Sequence, residues 1–197
     1  TIETLRKMGF GNPEGISATI RGWHHGRYRA VRSTRAREIL TEIMPTLLEA
    51  LSQTASPDAA FRRFDDFLSG LPAGVQLFSL FQANPPLLQL MAEIVGGAPR
   101  IAEWLGRNPL LLDGVLEQDF FDDLPTADVM KAALAERMSE ARDMQDVLDI
   151  TRQWANDAKF QVGVQILRNT CDIDRADGAF SDIADTVIRG LLPPIEK

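Results

Sequence analysis

Four points along this chain place a capping residue directly before a proline: Asn12-Pro13, Ser56-Pro57, Asn84-Pro85 and Asn108-Pro109. Proline lacks a backbone N–H and has a fixed φ, so it fits the first position of an α-helix and little inside one. Asn or Ser before it can accept from the free N–H groups of the first turn. This grammar commits the chain to a run of short helices. The spacings between starts are unequal, so no solenoid repeat is expected. Apolar residues between the starts recur at the helical period. Ile39, Ile43, Leu47 and Leu51 form one stripe, and Phe61, Phe64 and Leu68 the next. Leu87, Leu88, Met91 and Val95 form another, stopped by Gly96-Gly97; Leu111, Leu112 and Val115 continue the series. Pro45 is expected to kink the first stripe or split it after Met44. Period-2 alternation of β-branched residues is absent, so no sheet is expected.

Residues 117–126 look like a boundary, with Glu117, Asp119, Asp122 and Asp123 around Phe120 and Phe121, and Pro125 following. Beyond it the stripes lengthen. Met130, Leu134, Met138 and Ala141 form one, and Val147, Ile150, Trp154, Ala158 and Val162 a second. Phe180, Ile183, Val187 and Leu191 form a third, expected to end at Pro193-Pro194. The predicted fold is all-α, a multi-helix bundle in two halves, 1–122 and 123–197.

The net charge of -7 is uneven. Residues 1–56 carry eight Lys/Arg against five Asp/Glu, and the remainder thirteen against twenty-three. Acidic bulk argues against general nucleic-acid binding, which needs a positive field. No apolar run approaches the roughly 20 residues of a membrane span. The single cysteine, Cys171, leaves no internal disulfide and fits a reducing cytoplasm. A start at Thr1, without Met or an apolar leader, suggests a piece of something longer.

Most candidate chemistry has a plain reading. Gly96-Gly97 is not followed by Lys-Ser/Thr, so it is no phosphate loop. His24 and His25 are adjacent and point about 100° apart on a helix, a poor metal pair. The Asp-x-Asp at Asp172 and Asp174 falls between helices, where Asp174 is placed to cap the last one. Cys171 at a helix end reads as a small buried hydrophobe.

The exception is a run of cations. Arg21, Arg27, Arg29, Arg32, Arg35 and Arg37 fall within residues 21–37 with no acid among them. Guanidinium forks match carboxylates and phosphates. If the run is helical, Arg32 and Arg35 share a face. The run either pairs with acids elsewhere in the chain or presents a partner-binding surface formed by Arg27, Arg29, Arg32, Arg35 and Arg37.

Residues 9–37 (GFGNPEGISATIRGWHHGRYRAVRSTRAR), 64–116 (the LPAGVQ…NPPLLQL…GGAPRIAEWLGRNP stretch) and 160–188 resemble the glutamine synthetase adenylyltransferase family. The resemblance implies an intact protein with two nucleotidyltransferase heads, one adding AMP to glutamine synthetase and one removing it. Glutamine and the PII signal protein decide which head works. The chain resembles the central connector (1–122) and the helices leading into the second head (123–197). Each head's Gly-Ser turn and strand-borne Asp-x-Asp has no matching position here. The resemblance therefore implies no catalytic, cofactor-binding or metal residue in this chain. ATP and magnesium are expected for the intact protein, and the partners are glutamine synthetase, PII and the flanking heads. Two other readings stand beside it. One is a glutamine-sensing helical domain, with Gln76, Gln82 and Gln89 as the hints. The other is a free-standing helical adaptor.

Overall fold

The computed structural model describes residues 1–109, 111–117 and 119–195, apart from the side chains of Asp113 and 193–195. The described residues are helical with no strand. They divide into two compact units, Thr1–Leu112 and Asp113–Lys197.

The first unit holds α1 (Ile2–Lys7), α2 (Pro13–His24), a 3-10 turn (Arg29–Val31), α3 (Thr34–Ser52), α4 (Pro57–Gly70), α5 (Val75–Ala83), α6 (Pro85–Gly97) and α7 (Pro99–Arg107). A four-residue turn, α8 (Leu111–Gly114), lies at the division. Three of the four proline starts open full helices, α2, α4 and α6, and Asn108-Pro109 leads only to this short turn. Asn12 accepts from Gly15 N at 3.0 Å, as an N-cap should. Asn84 works the other way: its Nδ2 donates to Leu80 O at 3.0 Å and closes α5. Pro45 does not end α3, which runs unbroken across it. Ile39, Leu40, Ile43, Met44, Leu47 and Leu51 are all buried along that helix. Their burial outweighs the roughly 3 kcal/mol that an interior proline costs.

α3 packs on α5 and α6, and α4 packs on α6 and α7. The aromatic centre lies where α2 meets α4. Trp23 stacks on Phe61 at 5.2 Å and 18°, and meets Phe64 edge-on at 6.1 Å. Phe10 meets Phe61 edge-on at 6.4 Å. Two polar ties fix the helix ends around this centre. Asp58 accepts from Gly11 N at 2.7 Å and Asn12 N at 2.9 Å, joining the first turn of α4 to the start of α2. Arg63 donates to Val95 O at 2.7 Å and Gly96 O at 3.3 Å, supplying the free carbonyls at the end of α6.

The second unit is built on α9 (Ala127–Met138), α10 (Met144–Leu167) and α11 (Ile173–Ile195), with α11 packed against both others. Met130, Leu134, Trp154, Val162, Cys171, Ala176 and Ile183 lie in its core. α11 includes the Pro193-Pro194 pair expected to stop it. A proline in the terminal turn removes a donor but keeps a helical φ. Asp172, two residues before the expected cap, starts that helix: its Oδ1 accepts from Arg175 N at 2.8 Å. At the start of α10, Asp143 Oδ1 accepts from Asp146 N at 2.8 Å. Asp146 Oδ2 accepts in return from Arg142 N at 3.1 Å and Nε at 2.9 Å. Those bonds, the guanidinium's first, hold the Asp146 carboxyl below the usual carboxylate range.

The division at Leu112/Asp113 falls before residue 122. Gln165 is buried and donates from Nε2 to Phe120 O at 2.8 Å and Asp122 O at 3.0 Å. Gln161 donates to Phe120 O at 3.0 Å, and Arg175 pairs with Asp123 at 2.7 Å. These contacts make the acid-rich stretch part of the second unit.

Among the described residues, Thr151 and Thr186 bury hydroxyls with no hydrogen-bond partner. An unpaired buried hydroxyl carries a desolvation cost that an apolar group of the same shape avoids. Thr186→Val therefore raises the stability of the second unit by about 1 kcal/mol in urea unfolding. Thr186→Ser, which keeps the hydroxyl and loses a methyl, lowers it. A loss with valine would show that the hydroxyl is bonded after all.

Candidate partner-binding surface

The arginine run is not one helix. α2 ends at His24, and Gly26 turns the chain with φ +75°, in the left-handed region that favours glycine. Gly26 N donates to Trp23 O at 2.9 Å and Arg27 N to Gly22 O at 3.0 Å, closing α2 in the manner of a Schellman motif. The 3-10 turn follows. Ser33 then caps α3, its hydroxyl accepting from Ala36 N at 3.1 Å. Arg32 and Arg35 thus stand on opposite sides of a helix start, and the shared face expected for them does not form.

Buried residues alternate with the arginines. Ala30, Val31 and Ala36 are buried, while Arg27, Arg29, Arg32 and Arg35 are exposed. The turn rests on the start of α5, where a Cβ at Gly74 would run into Ala30 O. Only glycine allows that approach. Asp65 ties down the other end. Its Oδ1 accepts from the Trp23 indole at 2.7 Å and its Oδ2 from the Tyr28 hydroxyl at 3.1 Å. Burial, and then the hydrogen bond to Asp65, push the Tyr28 hydroxyl above its ordinary pKa.

The five arginines singled out from the sequence have different roles. Arg37 is internal: it donates from Nη1 to Val31 O at 3.2 Å and to Arg32 O, and from Nη2 to Thr34 Oγ1 at 3.3 Å. Arg35 pairs with Glu38 at 3.5 Å on its own helix, an exposed contact of small energy. Arg27 lies over the Tyr28 ring, 5.2 Å from its centroid. Arg29 and Arg32 make no ion pair or side-chain hydrogen bond among the described residues. Pairing of the run with distant acids is therefore not seen among those residues.

Asp65, Asp58 and Arg63 were not anticipated. Asp65 stands four residues after Phe61 and three before Leu68, on the apolar stripe itself. A carboxylate at such a position signals a buried donor to be met. Neither Asp58 nor Arg63 gives a comparable signal.

The other sequence candidates do not gather into a site. His24 Nδ1 lies 3.5 Å from Thr41 Oγ1, and His25 is exposed. Among the described residues no group of three His, Cys, Asp or Glu side chains is arranged to hold a metal. Asp172, the first aspartate of the Asp-x-Asp, is used as a helix cap. Gln82 donates to Glu42 at the edge of a groove of about 190 Å³ lined also by Ile43, Phe81 and Leu88. That volume is below the 300–1,000 Å³ usual for small-molecule pockets. Gln76 and Gln89 do not line it. No helix among the described residues is long and apolar enough to cross a membrane.

Asp65→Ala strands the indole N–H in the aromatic centre and lowers the stability of the first unit by about 1–3 kcal/mol. Tyr28→Phe costs less, about 1 kcal/mol. The pH dependence follows from linkage. A group whose pKa is raised on folding stabilises fully below its unfolded pKa, and the benefit is lost as pH rises through the folded value. Wild type therefore loses stability above about pH 10, the ordinary tyrosine pKa, and Tyr28→Phe lacks that step. Tyr28 is the only tyrosine, so tyrosinate absorbance follows it alone.

A family model described as glutamate-ammonia ligase adenylyltransferase matches residues 88–195. Proteins named bifunctional glutamine synthetase adenylyltransferase/adenylyl-removing enzyme resemble almost the whole chain. The one from Mesorhizobium japonicum is 47% identical over 99% of this chain and 20% of its own length. Those from Agrobacterium fabrum and Caulobacter vibrioides are 45% and 40% identical over 98% of this chain and 19% of theirs. The chain thus spans about a fifth of the length of the curated relatives it matches. No solved structure matches it. With the family model covering more than half of the residues, the chain belongs to the glutamate-ammonia ligase adenylyltransferase family.

Proposed function

We propose that this chain is a non-catalytic, regulatory helical segment of a cytoplasmic enzyme that adds AMP to glutamine synthetase and removes it. Its near-complete match to a fifth of a bifunctional enzyme carries the reading. The helical build of the described residues, with no strand among them, supports it, because the nucleotidyltransferase signature that the resemblance implies for each head lies on a strand. ATP and magnesium belong to the heads in this reading. Glutamine synthetase, PII and the flanking heads are the partners, with the arginine run on the contact side.

Two opposed activities on one substrate protein need an element with differential contacts in the two states. A segment of two compact units, one presenting cations and the other rich in acids, suits that role.

Incubating the purified chain with ATP, magnesium and glutamine synthetase tests the reading. No AMP is transferred above background, while the intact enzyme transfers it under the same conditions. Transfer by the chain alone overturns the non-catalytic reading.

A further inference from the structure

Gln165 lies near the end of α10 with its side chain buried. Its Nε2 donates to Phe120 O at 2.8 Å and to Asp122 O at 3.0 Å. A primary amide has two N–H groups, so both go to residues 119–123. The backbone carbonyl of the same residue accepts from Thr170 N at 2.9 Å and Thr170 Oγ1 at 3.2 Å. With Asn169 in the left-handed region at φ +56°, those bonds close α10 and turn the chain toward α11. One residue therefore holds both the segment ahead of α9 and the turn between α10 and α11.

The hold on residues 119–123 is otherwise thin. Phe120 O also accepts from Gln161 at 3.0 Å, and the Phe120 ring lies 6.1 Å from that of Phe160. The pair between Asp123 and Arg175 is exposed and adds little. The segment's own backbone bonds are turn bonds, Phe120 N to Glu117 O and Asp122 N to Asp119 O. Asp119, Asp122 and Asp123 are all exposed and crowd like charge into five residues. A segment with few buried contacts and internal repulsion opens locally, without unfolding the helices beneath it. The core shared by α9, α10 and α11 is built without Phe120.

We infer that residues 119–123 are a two-state strap, seated or released, and that the Gln165 amide is its latch. Release strips two acceptors from a buried amide, so the Gln165 side chain must move to find others. That movement reaches the α10–α11 turn, because Gln165 O holds it. Strap and turn are thus coupled, as a switch between two states requires. The inference rests on the function proposed above for what the switch serves: seating of the strap biases the balance between AMP addition and AMP removal.

On the purified chain, chymotrypsin cleavage after Phe121 and amide exchange at Phe120 and Asp122 read release. In Gln165→Leu both rise about tenfold or more, while amides in the middle of α10 and α11 keep their protection. Gln145→Leu, at an exposed glutamine of the same helix that bonds to Asp149, changes neither. Thermal unfolding checks that each variant is folded. Phe120→Ala removes the ring that packs toward Phe160 and leaves Gln165 in place; it releases the strap too and carries the test should Gln165→Leu not fold. Strap amides of the wild type that exchange only with global unfolding, or unchanged cleavage in the folded variants, overturn the inference. In the intact enzyme Gln165→Leu shifts the ratio of AMP addition to AMP removal about threefold or more, and Gln145→Leu keeps the wild-type ratio. A released strap with an unchanged ratio overturns the inference and leaves the proposed function standing. Wild-type enzyme that carries out neither reaction on glutamine synthetase overturns the proposed function and the regulatory role with it, while cleavage of the purified chain still decides whether the strap exists.

Discussion

Trp23 is fully buried, and its indole N–H must find its acceptor inside the protein. Asp65 provides it, at 2.7 Å, from a position on the apolar face of α4. The rest of the first unit follows from this bond. The carboxylate's second oxygen takes the Tyr28 hydroxyl, which fixes where the chain goes after α2. Phe61 and Phe64 close over the indole. A hydrocarbon at residue 65 would fill space but answer neither donor. The aromatic core and the path of the arginine run are thus settled by one shared acceptor.

The arginines illustrate how little residue type says about role. Six fall within residues 21–37. Arg37 works inward on backbone carbonyls that the 3-10 turn leaves free. Arg27 spends its charge over a ring, and Arg35 pairs within its helix. Arg29 and Arg32 remain unengaged among the described residues. What separates them is the interruption at Gly26 and Ser33, which turns one imagined helix into a cap, a turn and a new helix.

Much of the architecture was legible in the sequence. The stripes through Ile39, Phe61 and Leu87 are buried as their spacing requires. The proline starts placed α2, α4 and α6 to the residue. The misses have local causes. Pro45 reads as a breaker because the cost of a proline is local, while the burial that outweighs it is tertiary. Asp172 was passed over for Asp174 because the two flank Ile173, the first residue of α11, and backbone geometry chooses between them. Asp58, Arg63 and Gln165 serve backbone groups far away in the chain, and no local pattern announces such a partner. The candidate surface was legible as a cluster of charge. Its division into inward and outward arginines was not, since that depends on Gly74 and Asp65, which lie beyond the run.

The support of the turn by Gly74 also has a consequence in time. Ala30 rests on a residue more than forty positions later, and Tyr28 on one nearly as distant. During synthesis the arginine run leaves the ribosome well before either support exists. Until α4 and the start of α5 have emerged, the run is a loose cationic segment with an uncovered tryptophan beside it. Its order therefore reports that the whole stretch from α2 to α5 has closed, and no shorter nascent chain can present it.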